Sequence, residues 1–135
     1  MARSSKKDSS PPSQILTNVA WAFRGEPFDD AAAFASAVRA WQDGDAWEPD
    51  EIIPLPRLRV AYYGEGEIDI EYTRYVIDLA SDSGKHFTAL ELLHKLHNAV
   101  VLRLRDTDHQ YYEGLELVEP ADSAAGPLYE MHQGS

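Results

Sequence analysis

From Arg57 to Tyr72, apolar and polar residues alternate on both sides of Gly64-Glu65-Gly66. Leu58, Val60 and Tyr62 interleave with Arg57, Arg59 and Ala61, and Ile68, Ile70 and Tyr72 with Glu67, Asp69 and Glu71. A period of two marks a strand with one buried and one wet face, and two such strands around a glycine-containing turn read as a hairpin. A hairpin alone cannot hide its apolar face in water, so the rest of the chain must supply a second layer. With residues 64–66 as the loop, Tyr63 pairs with Glu67 and Arg59 faces Glu71, which brings opposite charges together across the strands. The apolar parity then changes at Thr73-Arg74 to Tyr75, Ile77 and Leu79, which predicts a strand continuing through a bulge or bend.

Helices supply the second layer. Thr88 followed three residues later by Glu91 is a capping-box pattern, and Ala89, Leu92, Leu93, Leu96 and Val100 recur at the spacing of one buried helical face. An earlier helix is predicted from Asp29 or Asp30 to Trp41, because an aspartate oxygen accepts free first-turn amide protons and Phe34, Ala37, Val38 and Trp41 share a face. Ile15, Thr17, Val19, Trp21 and Phe23 predict a single strand ahead of it. Gln110 to Glu119 and Pro127 to His132 predict two more strands at the end of the chain.

The expected fold is therefore α+β, a two-layer sandwich with two helices on one face of a mainly antiparallel sheet, in the order β-α-β-β-α-β-β. Its first six elements follow the order of a split β-α-β, ferredoxin-like sandwich, an architecture that hosts many functions. The 135 residues suit one domain, expected over residues 14–135. Residues 1–13, rich in Ser, Lys and Pro, are expected to form a disordered tail. Their charge has no apolar run after it, so neither a secretory signal nor a membrane anchor is expected, and a cytoplasmic protein is.

Chemistry is sparsely marked. The chain has no cysteine, which removes disulfides and thiolate chemistry. Glu91-x-x-His94 has the spacing of half a carboxylate-bridged dimetal site, but no second copy exists, and Glu91, His94, Lys95 and Asn98 are expected to face water opposite the leucines. His109, with Asp106, Asp108 and Glu113 nearby, contains the ingredients of a general base without a fixed geometry. No nucleophile elbow or phosphate-binding glycine loop occurs. Asp43, Asp45, Glu48, Asp50 and Glu51 form an acidic loop that departs from the calcium-loop spacing. No cofactor, metal or catalytic residue is assigned.

Charge carries the functional expectation. The net charge is −11, and because Arg3, Lys6 and Lys7 against Asp8 make the first fourteen residues positive, 9 basic and 22 acidic residues remain in the body, near −13. Such a body repels phosphates and steers basic partners toward itself, so direct nucleic-acid binding is not expected and a basic protein partner is. The candidate partner-binding residues are the loop carboxylates Asp43, Asp45, Glu48, Asp50 and Glu51, and the hairpin row Glu65, Glu67, Asp69 and Glu71 with Tyr63 beside it. In extended chain Glu67, Asp69 and Glu71 recur about every 7 Å, close to the phosphate spacing of a nucleic-acid strand. In size, charge and patterning the chain resembles small bacterial immunity or inhibitor proteins, a likeness of class with no family motif behind it. That likeness implies a module capping a basic, nucleic-acid-acting partner. The alternatives are a small enzyme or ligand-binding domain built on scattered His, Asp and Glu, and a homo-oligomer joined through an exposed strand such as the terminal one.

Overall fold

Leu58, Val60 and Tyr62 find their cross-strand partners further along the chain than the nearest alternation suggests. The structure, a computed structural model, describes residues 11–66, 72–120 and 126–134, with Tyr72 described in its backbone alone. Among these residues the elements run β1 (Gln14–Ile15), β2 (Trp21–Ala22), α1 (Ala31–Trp41), β3 (Ile52–Ile53), β4 (Arg57–Glu65), β5 (Tyr72–Ala80), β6 (Phe87–Thr88), α2 (Ala89–Leu104), β7 (Tyr111–Glu119) and β8 (Leu128–Gly134). β4 and β5 pair along their whole length, with Leu58 opposite Leu79, Val60 opposite Ile77 and Tyr62 opposite Tyr75. This register runs over nine residue pairs and sets Leu58, Val60, Ala61 and Tyr62 against apolar partners, where the shorter hairpin would leave Ala61 opposite Asp69. Arg59 therefore faces Asp78 and not Glu71, Tyr63 faces Arg74 and not Glu67, and no bulge interrupts Tyr72–Ala80.

The two-layer α+β arrangement is as expected, but the strand order is not that of a ferredoxin-like sandwich. The main sheet runs β1-β7-β8-β4-β5, with β2 on the same side of β7 as β1. β8 inserts between β7 and β4, antiparallel to the former and parallel to the latter. The terminal strand is thus interior, and offers no free edge for a second copy. β3 and β6 form a separate two-stranded piece.

α2 and α1 cover one face of this sheet. Phe34 and Val38 of α1, and Leu92, Leu93, Leu96, Val100, Val101 and Leu104 of α2, are fully buried against Leu58, Val60, Tyr62, Leu115, Tyr129 and Met131. The Asp30 carboxylate caps α1 by accepting from Ala32 N–H at 2.9 Å, and the Thr88 hydroxyl caps α2 by accepting from Glu91 N–H at 3.1 Å. No helix among the described residues is long and apolar enough to cross a membrane.

The predicted first strand is broken in two. Leu16 takes φ 54°, a left-handed conformation that costs a bulky side chain free energy, and it does so with its side chain buried. The Tyr112 hydroxyl donates to the Leu16 carbonyl at 2.6 Å. Three side-chain amides each bind both backbone groups of one residue. Gln42 accepts from Ala20 N–H at 2.9 Å and donates to Ala20 C=O at 2.7 Å. Asn98 does the same for Phe28 at 2.8 and 2.9 Å, and Gln133 for Tyr63 at 2.8 Å each way. Each carboxamide presents an acceptor and a donor with the spacing of a backbone amide, and so satisfies both groups of its partner residue.

The fold also reaches into the segment expected to be a tail. The Tyr129 hydroxyl donates to Pro12 C=O at 2.7 Å, and Leu117 N–H donates to Ser13 C=O at 2.8 Å. Burial raises the Tyr129 pKa to about 12, as suits a hydroxyl that serves as a donor. Deleting residues 1–13 strips both acceptors, and since each orphaned donor costs about 1–3 kcal/mol when buried, the truncated chain should unfold at lower urea than a chain starting at Pro11. Equal midpoints for the two would show that these bonds contribute nothing.

Candidate functional site

The two acidic surfaces marked in the sequence do not meet. Asp43, Asp45, Glu48, Asp50 and Glu51 lie exposed in the connection from α1 to β3. The first turn of α2 holds their backbone in place: Glu51 C=O accepts from Ala89 N–H at 2.8 Å and Pro49 C=O from Leu90 N–H at 3.0 Å. These carbonyls satisfy free amides at the start of the helix, where its dipole also favours negative charge. Trp47, partly buried, packs the loop onto the core. Tyr63 and Glu65 sit at the other end of α2, since a Cβ on Gly64 would lie 3.1 Å from Arg103 Cβ. From Ala89 to Arg103 the helix rises roughly 21 Å. Glu67, Asp69 and Glu71 lie outside the described residues.

The polar side of α2 is only partly the wet surface the leucine spacing suggested: Asn98 is exposed, while Glu91, His94 and Lys95 are half-buried. His94 Nε2 shares a hydrogen bond with the Phe28 carbonyl at 2.7 Å, and its ring stacks on Phe34 with centroids 4.8 Å apart. Asn98 grips Phe28, as above, and Arg105 donates to Gly25 C=O at 3.2 Å and to the Glu26 carboxylate at 2.7 Å. Lys95 reaches Asp82 and Glu91 at 2.8 and 2.9 Å, and donates to Ala80 C=O at 2.6 Å. These residues fasten the loops at 24–30 and 80–82 to the helix. Among the described residues no group of three His, Asp or Glu side chains is placed to hold a metal ion.

Among the described residues, no helix covers the face of the main sheet turned away from α1 and α2. Strand parity puts Arg57, Arg59, Ala61, Tyr63 and Glu65 of β4 on it, with Arg74, Val76 and Asp78 of β5, Glu130 and His132 of β8, and Glu116 of β7, and the register shift after Leu117 brings Glu119 there as well. Tyr63 is 43% exposed and Val76 47%. Alternation separates neighbouring tyrosines: Tyr62 is buried where Tyr63 is not, and Tyr112 is buried where Tyr111 is partly exposed. The exposed Trp41 is occupied from within the chain, its ring lying 5.5 Å from the Arg24 guanidinium, which also covers Tyr111 at 5.0 Å.

At the centre of the open face, Glu116 and Glu130 stand directly opposite one another. Like charges in that position are destabilising. His132 Nε2 lies 2.8 Å from the Glu116 carboxylate, and Arg59 is 3.8 Å from Glu119, so among the described residues Glu130 is the member of this group that forms no ion pair. Beside it, β4 and β8 part company after three paired residues, and Gln133 bridges the gap to Tyr63. The splay leaves a cavity of about 430 Å³ lined by Tyr63, His109, Glu130, Met131, His132 and Gln133. Tyr63 and Glu65 were marked in the sequence; Glu116, Glu130 and His132 were not. Their signal was the alternation within residues 111–119 and 128–134, read there only as strand.

No protein-family model matches the chain, and no match is found among curated proteins or solved structures.

Proposed function

We propose that the chain is an acidic protein-binding module that takes a basic partner protein on the open face of its sheet. The observation that carries this reading is the direct opposition of Glu116 and Glu130 beside exposed Tyr63. An arrangement that costs the free protein stability is relieved when a partner's Lys or Arg enters between the two carboxylates. Tyr63 supplies ring area and a hydroxyl at the edge of the same surface, the combination that anchors many interfaces. The net charge of −11 adds long-range attraction. A protein that acts on nucleic acid has the basic surface such a module would cap, which makes an immunity-type inhibitor the finer form of the proposal.

The test begins with the partner that co-purifies stoichiometrically from the native host. Glu116→Lys with Glu130→Lys should slow its association by about tenfold or more at low salt and flatten the salt dependence. Asp45→Lys with Asp50→Lys, at the far end of α2, should change the rate by no more than about twofold at physiological salt, where such a distance is largely screened. Equal rates for wild type and the sheet-face double variant, with both folded by circular dichroism, would remove this face from the interface.

A further inference from the structure

β5 is an edge strand of nine residues, and among the described residues no strand pairs with its outer side. The opposite edge of the sheet is protected: β1 and β2 are two residues each and the left-handed Leu16 separates them. β5 carries little of the usual protection, its only charges being Arg74 and Asp78. It has no proline, lysine or bulge, and its sequence Tyr72-Thr73-Arg74-Tyr75-Val76-Ile77-Asp78-Leu79-Ala80 is rich in strand formers.

The phase of the ladder fixes which backbone groups face outward. Ser81 N–H donates to Pro56 C=O, extending the β4–β5 register by one pair, so by the antiparallel alternation the odd-numbered residues of β5 bond to β4. The N–H and C=O of Arg74, Val76 and Asp78 point away from the sheet. The end of this row is closed at Ala80, whose carbonyl is taken by Lys95.

We infer that β5 pairs antiparallel with β5 of a second copy of this chain, centred on Val76. In that register Val76 faces its own equivalent, Arg74 faces the second copy's Asp78, and Asp78 faces the second copy's Arg74. All are residues whose backbone groups point outward, so each pair exchanges two hydrogen bonds. The side chains agree with the backbone. The only charges on the strand meet as two opposite-sign pairs, and Asp78 comes to lie between Arg59 of its own chain and the second copy's Arg74. On the inner face Tyr75 meets Ile77, an aromatic against a β-branched residue, and both already pack on the core. In a chain of net charge −11 this edge is locally neutral. It therefore offers a basic partner no attraction, while it suits a surface that must meet a copy of itself without repulsion.

The experiment is sedimentation equilibrium of the full chain across concentrations, with circular dichroism of each variant. Wild type should reach twice the 15.1 kDa chain mass. Val76→Lys, which sets two cations face to face, should raise the dissociation constant at least about tenfold. Val76→Pro removes an outward N–H that β4 does not use and should do the same, which covers the case of a lysine variant that folds poorly. Arg74→Asp and Asp78→Arg should each weaken the dimer, and the two together should restore it, because the swap rebuilds both pairs only in this register. A monomer at every concentration, as expected if the edge takes an extended segment of another protein, overturns the inference. So does a dimer indifferent to Val76→Lys and Val76→Pro, or a charge swap that fails to restore what the single changes lose.

Discussion

His97→Ala should lower the unfolding free energy by about 3–5 kcal/mol, the scale of removing a ring from a packed core. His97 is fully buried, and its ring meets those of Trp21, Phe28 and Phe34 at centroid distances of 5.6, 5.3 and 5.5 Å. Its polarity is used on both sides. Trp21 Nε1–H donates to Nδ1 at 3.1 Å, so Nδ1 carries no proton, and Nε2 donates to Glu26 C=O at 3.0 Å. This tautomer is neutral. Protonation would set two N–H groups against each other, and burial pushes the pKa down, with the Glu26 carbonyl opposing and His94 adding to the shift. Because the folded pKa is depressed, the unfolded chain takes up the proton first. The contribution of His97 is complete above about pH 6.5 and is lost as pH falls below that value toward the folded pKa. His97→Phe keeps the ring but abandons Trp21 N–H, so at pH 8 it should cost about 1–3 kcal/mol. Between pH 8 and pH 5 it should lose less stability than wild type in urea titrations. Parallel losses in the two proteins would mean that His97 is not held neutral.

His97 also shows where the sequence stopped being legible. Leu92, Leu93 and Leu96 announce the buried face of α2 through their spacing, and all three are buried. Periodicity places His94, His97 and Asn98 on the flank of that face, and nothing local tells a solvated flank from one covered by a loop some 70 positions away. The three carboxamides that each bind both backbone groups of one residue are illegible for the same reason. Gln42, Asn98 and Gln133 are ordinary surface residues until tertiary structure brings Ala20, Phe28 and Tyr63 beside them.

The hairpin failed differently. Two registers satisfy the alternation, and the local one around residues 64–66 also pairs opposite charges. The structure takes the longer one, which keeps apolar partners for Leu58, Val60 and Tyr62 in Leu79, Ile77 and Tyr75 and adds Val76 opposite Ala61, where the local register would set Asp69. The candidate site was hidden by the same ambiguity: which carboxylates share a face depends on strand order, and the insertion of β8 between β4 and β7 brings Glu130 against Glu116. Alternation within each strand was visible in the sequence. Their adjacency was not, since it depends on a crossover that leaves no local trace.

That insertion rests on one backbone position. Gly126→Ala should cost about 2–5 kcal/mol, the sum of a left-handed conformation worth about 1–2 kcal/mol and a clash worth about 1–3 kcal/mol. Gly126 has φ 81°, and a Cβ there would lie 2.9 Å from Arg57 C=O, part of a backbone that cannot swing aside as a flexible side chain can. The close approach is what starts the parallel pairing of β8 with β4. Gly126 C=O accepts from Arg59 Nε and Nη2 at 3.2 and 3.0 Å, and Arg59 N–H donates to Pro127 C=O at 2.8 Å. Gly25 and Gly84 separate the two contributions, because they share the positive φ, 79° and 74°, but a Cβ at either meets nothing within 4 Å. Alanine at those positions should cost about 1–2 kcal/mol. Urea midpoints for the three variants test the difference. A Gly126→Ala loss no larger than that of Gly25→Ala would mean that β8 can shift away from Arg57 freely, and the facing of Glu130 with Glu116 would then lack the rigid support the proposed interface requires.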